Sequence, residues 1–206
     1  MTEANVTPKR GRGRPAHAEP EAIALIALRM FEERGVADVT MDEIAVVAGV
    51  SRRTLFRLFP SKASLVWAGA TEADARFEVA YNKLDAGEGD VLSRIRAAYS
   101  ASIAPLHETA DITRLRLRLI SDNPLVYAWG ADLRAMTRSH LANHIAEAFS
   151  QPAGSVRVLA FVAAIEGATY AALAWWAHNG ENLKLDDVID EALTTFKSTF
   201  LESQHE

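Results

Sequence analysis

The chain has 206 residues, and none of them is cysteine. This absence excludes disulfide bonds, thiolate zinc sites, iron–sulfur clusters and a cysteine nucleophile. Long hydrophobic runs are also missing: the longest apolar stretch, near residues 170–177, is far shorter than the roughly 20 residues that span a bilayer. Residues 1–22 are polar and basic, unlike a signal peptide. We therefore expect a soluble, cytoplasmic protein without a membrane segment.

Motifs of catalysis are absent as well. The sequence contains no nucleophile elbow, P-loop or dinucleotide fingerprint, so we expect no enzyme and no cofactor. His140, His144 and Glu147 share one helical face and have the ligand types of a zinc or iron triad. No glutamate follows the first histidine, however, as it does in metalloproteases. We expect no metal site, and a metal-dependent or small-molecule-binding enzyme is an alternative interpretation.

What the chain does contain is helical periodicity. Hydrophobic residues make up 49% of the sequence, and they recur with the spacing of amphipathic helices, without a convincing alternating strand. The first helix should begin at Pro20, which suits a first helical turn, and end before Gly35. Later breaks predict single helices over 62–84 and 123–150. The pattern therefore predicts an all-α fold of about nine helices.

Positive charge is concentrated near one end of an acidic chain. The net charge is −5, yet the stretches Lys9–Arg14 and Arg52–Lys62 contain cations and no carboxylate. Two short basic stretches in an acidic protein indicate a local contact with a polyanion.

The clearest local pattern lies just before the second basic stretch. Thr40 and Glu43 have the spacing of a capping box at the start of a helix. That helix should end by Gly49, and Ser51 is a second N-cap immediately afterwards. Two short helices separated by so short a turn cross steeply, as in a helix-turn-helix.

The second of these helices would lie in the DNA major groove. Arg52 and Arg53, beside Ser51 at its start, can donate paired hydrogen bonds to guanine, and Thr54 can contact a thymine methyl group or a phosphate. Arg57 is placed for the phosphate backbone, and Lys62 adds charge to the N-terminus of the next helix, a second phosphate site.

A basic arm precedes these helices. Arg12 and Arg14 flank Gly13 and come before Pro15, a pattern typical of an AT-hook that lies in a narrow A·T minor groove. A basic tail that contacts phosphates without sequence preference is the alternative. We thus divide the chain into a flexible basic arm (1–18), a helix-turn-helix DNA-binding domain (19–65) and a ligand-binding and dimerisation domain (66–206).

The residues of this region resemble the signature of TetR/AcrR-type transcriptional regulators. The resemblance covers about residues 20–67 and rests on Val39–Ala45, Ala48–Ser51, Thr54–Phe56 and Phe59–Lys62. It implies a homodimer, a DNA-binding domain of three helices and a variable ligand-binding domain, with Thr40, Thr54 and Lys62 at positions that commonly contact DNA. Phe56 and Leu58 depart from the polar residues that the family often has there, so the arginines should carry more of the DNA affinity.

The C-terminal two-thirds carries aromatic and polar side chains that suit a ligand cavity. The candidates for effector contacts are Trp67, Tyr99, Ile103, His107, Trp129, Leu133, Met136, Glu166 and Tyr170. The last two predicted helices, the eighth and ninth, are apolar nearly all round. Such helices bury more than one face, and a twofold partner can cover the second face.

These patterns together predict a ligand-responsive transcriptional repressor that a hydrophobic effector releases from a palindromic operator. The stretch Ser51–Arg57 and the pair Trp175–Trp176 also resemble the mycofactocin-associated branch of the family, which implies an acyl-CoA ligand. A large apolar cavity would also admit a drug-like molecule. A constitutive or architectural DNA-binding dimer without an effector is the alternative from another class.

Overall fold

A computed structural model describes residues 19–84, 90–103 and 110–200. All regular structure in these ranges is α-helical, which confirms the predicted all-α class. The helices are α1 (Pro20–Arg34), α2 (Met41–Val47), α3 (Arg52–Leu58), α4 (Lys62–Val66), α5 (Ala70–Lys83), α6 (Val91–Ile103), α7 (Ala110–Asp122), α8 (Pro124–Trp129), α9 (Ala131–Phe149), α10 (Val156–Asn179) and α11 (Leu185–Phe200).

The first three helices begin and end at the residues that the sequence indicates. Pro20 occupies the first turn of α1, and Gly35 follows its last residue with a left-handed φ of 84°. Thr40 and Glu43 form both bonds of the capping box of α2, and the Ser51 hydroxyl accepts a hydrogen bond from the Thr54 N–H at the start of α3. Short-range side-chain bonds therefore fix the helix-turn-helix.

The structure has eleven helices in the described ranges where the sequence predicts about nine. The helix predicted over 62–84 is broken after Val66, because the left-handed φ of 83° at Gly69 interrupts the helical backbone before α5 begins. The helix predicted over 123–150 is broken at Gly130. There the φ of −76° is ordinary, but the indole ring of Trp67 occupies the space that a Cβ would need. Both predictions of one continuous helix were wrong.

The buried side chains of the described ranges form two hydrophobic clusters. The first, which we call the DNA-domain core, joins α1–α4 to side chains from α7 and α8. Those side chains are Ile112, Leu115, Ile120 and Val126. The second, the effector-domain core, is formed by α5, α6, α9, α10 and α11. The DNA-domain core thus extends across the domain boundary that the sequence places at residue 65.

The longest helix, α10, packs against α7, α9 and α11. Its length and composition would suffice to cross a membrane, although a core helix of a soluble protein passes the same test. By this test of length and composition, the expectation from sequence that every apolar stretch is far too short to span a bilayer was wrong. Val158, Ile165 and Trp176 lie buried on its inner side, which makes α10 a central element of the effector-domain core.

Candidate DNA-binding surface and ligand-binding region

The helix-turn-helix buries the apolar side chains that anchor it and exposes its arginines, while Val46, Val47 and Phe56 are exposed as well. Leu55 of α3 is fully buried, as is Ile44 of α2. Arg53 and Arg57 are exposed on the opposite side of α3. Since Leu55 anchors the inner face, the outer face presents the three arginines of α3 to solvent. This is the side on which a recognition helix contacts DNA.

Arg52 and Phe56 lie together on this surface. The Arg52 guanidinium is 5.3 Å from the centre of the Phe56 ring, and its Nη1 donates a 3.0 Å hydrogen bond to Oδ2 of Asp42 on α2. Arg52 is therefore restrained by two contacts while its side chain stays largely exposed.

The hydroxyl groups of the predicted DNA-contacting residues serve as caps. Thr40 Oγ1 donates to Oε2 of Glu43 at 2.7 Å, and the Thr40 N–H donates to the same oxygen. Arg34 donates to the other carboxylate oxygen at 2.8 Å. These hydrogen bonds, with those of Thr40 the strongest, lower the pKa of Glu43 to about 2. The Ser51 and Thr54 hydroxyls lie 2.8 Å apart and bond to each other.

Lys62 has structural partners. Its ammonium group donates to the carbonyl oxygens of Val36, Ala37 and Val39 in the loop between α1 and α2. The Ser61 hydroxyl caps α4. A phosphate contact by Lys62, as the sequence predicts, would compete with these bonds. The arm residues Arg12 and Arg14 lie outside the described residues.

The candidate effector contacts separate into different places. Trp67 is packed against the DNA-domain core, and its Nε1 donates to the carbonyl oxygen of Val126 at 2.8 Å. Tyr99 packs against the effector-domain core, where its ring meets that of Phe77 at 5.0 Å. Burial raises the pKa of Tyr99, and the Thr169 hydroxyl opposes that shift. The structure therefore does not bring Trp67 and Tyr99 to one site.

The guanidinium of Arg134, which no sequence motif indicates, lies between the aromatic rings near Trp67. Arg134 lies 3.9 Å from the centre of the Tyr127 ring and 5.7 Å from that of Trp67. Tyr170 packs on Tyr127 at 5.1 Å. No periodicity could reveal this group, because its members come from four helices.

The other candidates have varied surroundings. Glu166 accepts a 2.7 Å hydrogen bond from Arg138, which also raises the pKa of that arginine. Trp129 and Met136 are exposed, and Leu133 is half-buried. Ile103 is the last residue of α6, but its side chain and the whole of His107 lie outside the described residues.

The two histidines of α9 do not meet Glu147. His144 Nε2 lies 3.0 Å from Oε1 of Glu78, and His140 Nδ1 lies 3.1 Å from Oδ2 of Asp74, both carboxylates being on α5. In the described ranges no three such side chains are arranged to hold a metal ion. The histidines instead join α5 to α9.

An open groove runs between α5 and α6. It has a volume of about 580 Å³, and its lining residues are Ala75, Arg76, Val79, Ala80, Lys83, Leu84, Ala97 and Ala101. The floor is apolar, and Arg76 and Lys83 supply two cations. None of the effector contacts predicted from sequence lines this groove. Half of its lining residues are alanines, and an alanine in a sequence gives no indication of a ligand site.

The fold is helical, and its helix-turn-helix exposes arginines on the outer face of the second helix. These features are typical of a DNA-binding transcription regulator. Residues 26–68 match the family described as bacterial regulatory proteins, tetR family. Residues 90–201 match the MftR C-terminal domain. The chain therefore belongs to the TetR family, and its residues 90–201 belong to the family of MftR C-terminal domains.

A named relative supports the same conclusion. Over 135 residues the chain is 30% identical to a Mycobacterium tuberculosis protein named for a proposed role as the mycofactocin biosynthesis transcriptional regulator MftR. The match covers 65% of this chain and 67% of that protein.

Solved structures share the fold at low sequence identity. A TetR-like transcriptional regulator from Rhodococcus sp. RHA1 has a TM-score of 0.56 and 20% identity, over 90% of this chain and 98% of that one. Thermus thermophilus FadR, a TetR-family repressor in complex with lauroyl-CoA, has a TM-score of 0.56 and 19% identity, over 88% of this chain and 95% of that one.

Proposed function

We propose that this TetR-family regulator is a repressor that binds a palindromic operator as a homodimer and leaves it when a hydrophobic effector binds. The observation that carries the proposal is the outer face of α3. Arg53 and Arg57 are exposed there, while Leu55 fixes the helix from the inside. Arg52 and Arg53 would read guanines, Arg57 and Thr54 would contact phosphate or thymine, and the basic arm would add affinity.

The experiment is a fluorescence anisotropy titration with DNA from upstream of the protein's own gene, repeated at several salt concentrations. We expect tight binding that survives competitor DNA, with two or four chains per site. Arg53→Ala should weaken operator binding roughly 5- to 150-fold, since a bidentate arginine–guanine contact is worth about 1–3 kcal/mol. Arg29→Ala is the matched control, because Arg29 is an exposed cation of α1 that pairs with Glu32 at 2.9 Å. Equal effects of the two substitutions would contradict the assigned readout.

The homodimer would form through α10 and α11, the predicted eighth and ninth helices. The side of α10 opposite the effector-domain core exposes a stripe without charge. Its members are Val156, Leu159, Ala160, Ala163, Gly167, Tyr170, Ala171 and Trp175. An uncharged stripe of this length is typical of a surface that a partner covers, and a twofold partner suits a palindromic operator.

The effector would be an acyl-CoA thioester or a drug-like molecule of similar polarity. Three observations support this class: the apolar groove between α5 and α6, its cations Arg76 and Lys83, and the match to the MftR C-terminal domain. The lauroyl-CoA complex of the Thermus thermophilus protein makes a long-chain thioester the first probe. An apolar floor with cations at its edge suits an acyl chain that carries an anionic group.

Coupling between effector and DNA would run through α4. Trp67 at its end bonds to Val126 of α8, and Arg116 of α7 donates to the carbonyl oxygen of Val66 at 2.6 Å. A ligand that displaces α5 relative to α7 and α8 would therefore tilt α4. The recognition helices of the dimer would then leave the spacing of roughly 34–36 Å that successive major grooves require. Equal spacing with and without effector would contradict this mechanism.

The effector proposal is tested by adding lauroyl-CoA to the protein–operator complex. We expect release of the DNA, and Val79→Asp in the groove should abolish the release without changing DNA affinity. Leu183→Asp, at an exposed apolar residue outside the groove, is the control. A thermal-shift panel of hydrophobic ligands tests the constitutive alternative, because a ligand at 100 times its Kd stabilises by about 2.7 kcal/mol. If no ligand shifts the unfolding temperature, the constitutive DNA-binding dimer is the better interpretation.

A further inference from the structure

The ion pair between Asp42 and Arg52 links the two helices of the helix-turn-helix at their N-terminal ends. Asp42 lies in the first turn of α2, and Arg52 is the first residue of α3. Arg52 Nη1 and Asp42 Oδ2 are 3.0 Å apart, while the two side chains are 70% and 58% exposed. A pair so exposed contributes little to stability.

Both members of the pair stand on well-fixed backbone. The capping box of Thr40 and Glu43 holds the first turn of α2, and Arg34 bonds to Glu43 from α1. Ser51 caps the start of α3 beside Arg52. The carboxylate of Asp42 is thus presented from a rigid turn to a guanidinium that also starts from a rigid turn.

The pair leaves most of the guanidinium available. An arginine has five N–H donors, and the described bond to Asp42 uses one terminal nitrogen. The Phe56 ring, centred 5.3 Å from the guanidinium carbon, restricts the side chain from another direction. A guanidinium held in this way retains donors for the O6 and N7 atoms of guanine and loses less rotamer freedom on binding.

The same carboxylate acts against binding to DNA of arbitrary sequence. An arginine without a partner can turn to any nearby phosphate, which adds affinity but no sequence information. Asp42 competes with phosphate for Arg52, and its negative charge opposes the polyanion.

We propose that Asp42 is a positioning residue that holds Arg52 for guanine readout, which raises sequence discrimination and lowers affinity for DNA in general. This inference rests on the proposed placement of Arg52 at the base edges. It requires that removing the charge of Asp42 has opposite effects on discrimination and on non-specific affinity. A residue that only stabilises the domain would weaken both kinds of binding together.

The test uses the full-length Asp42→Asn variant, a DNA duplex that the wild-type protein selects from random sequence, and a scrambled duplex of the same length. We expect Asp42→Asn to bind the scrambled duplex more tightly. The slope of log K against log salt on that duplex should steepen by about 0.9, the value for one added phosphate contact. The ratio of selected to scrambled affinity should fall, by at most the roughly 5- to 150-fold that complete loss of one arginine–guanine contact would cost.

The matched control is Asp38→Asn, which removes an exposed carboxylate from the same domain and leaves Arg52 paired. If Asp38→Asn changes the salt slope and the discrimination as much as Asp42→Asn does, the inference is overturned. A second check introduces Asp42→Asn into Arg52→Ala protein, where we expect no further loss of discrimination. A further loss there would show that Asp42 does not act through Arg52.

The outcomes separate this inference from the proposed function. If the wild-type protein selects no sequence, the repressor proposal and the role of Asp42 fail together. If the wild-type protein discriminates and Asp42→Asn discriminates equally well, the role of Asp42 alone is refuted. Circular dichroism and the unfolding temperature identify a variant that fails to fold. If Asp42→Asn fails to fold, the test uses Asp42→Glu, which retains the charge: discrimination equal to that of the wild-type protein supports the role of the carboxylate, and loss of discrimination in folded Asp42→Glu protein refutes it.

Discussion

Replacement of Gly130 by alanine tests how the DNA domain is joined to the effector domain. A Cβ at Gly130 would lie 2.3 Å, 2.5 Å and 2.6 Å from three carbons of the Trp67 indole ring. Ordinary carbon–carbon contacts are about 3.5–4.0 Å, so the ring must move by roughly 1 Å. The backbone of Gly130 has a φ of −76° and a ψ of 9°, which alanine adopts without strain. The effect of the substitution is therefore steric.

The magnitude is the sum of two costs of moving the ring. Overpacking of a well-fitted site costs about 1–3 kcal/mol. Movement of the ring also breaks the bond from Trp67 Nε1 to Val126, and a hydrogen bond of this kind contributes about 1 kcal/mol. Gly130→Ala should therefore lower the free energy of unfolding by about 2–4 kcal/mol. Each kcal/mol lowers the Tm by roughly 2–4 °C in a chain of this size.

The assay is urea unfolding at a fixed protein concentration, because association changes apparent stability. Gly154→Ala is the control, since a Cβ there meets nothing within 4 Å, and we expect a change of about 0.5 kcal/mol or less. In Trp67→Leu protein the cost of Gly130→Ala should shrink, because the clashing ring is gone. A cost that is equally large in that background, or absent from the wild-type background, would refute the steric argument.

Three further predictions concern the caps and the dimer surface. Glu43→Gln should unfold more easily than the parent protein at pH 7. The difference should shrink as the pH falls from about 4.5 towards 2, because the Glu43 carboxylate, with its lowered pKa, stabilises the fold only while it is charged. A difference in stability that is independent of pH would argue against the capping box. Lys62→Met should cost about 1–3 kcal/mol by leaving three loop carbonyls without their donor; unchanged stability with weaker DNA binding would assign Lys62 to phosphate instead. Ala163→Glu on α10 should convert the proposed dimer to monomers, which light scattering would detect as a mass of 22.5 kDa, whereas Leu183→Asp should leave the dimer intact. A dimeric Ala163→Glu protein would place the interface elsewhere.

Local sequence determined the helix-turn-helix. A capping box links residues three apart, so Thr40 with Glu43 and the cap at Ser51 specify two helix starts without help from the rest of the chain. The alternation of Leu55 with Arg53 and Arg57 likewise sets which face of α3 is buried. For these reasons the fold class, the first three helices and the cationic surface were predictable from residues alone.

Tertiary packing decided the features that depend on distant partners. The Trp67 ring fills the space beside Gly130, the bonds of Lys62 require the loop after α1, and Arg52 is restrained by an aspartate ten residues away. His140 and His144 share a helical face in the sequence, but only the packing of α5 against α9 gives them Asp74 and Glu78 as partners. Periodicity shows which side of a helix is apolar, and it contains no information about which other helix will cover it. The sequence by itself therefore determined the DNA-facing element, whereas the tertiary structure decided the connection to the effector domain and the groove between α5 and α6.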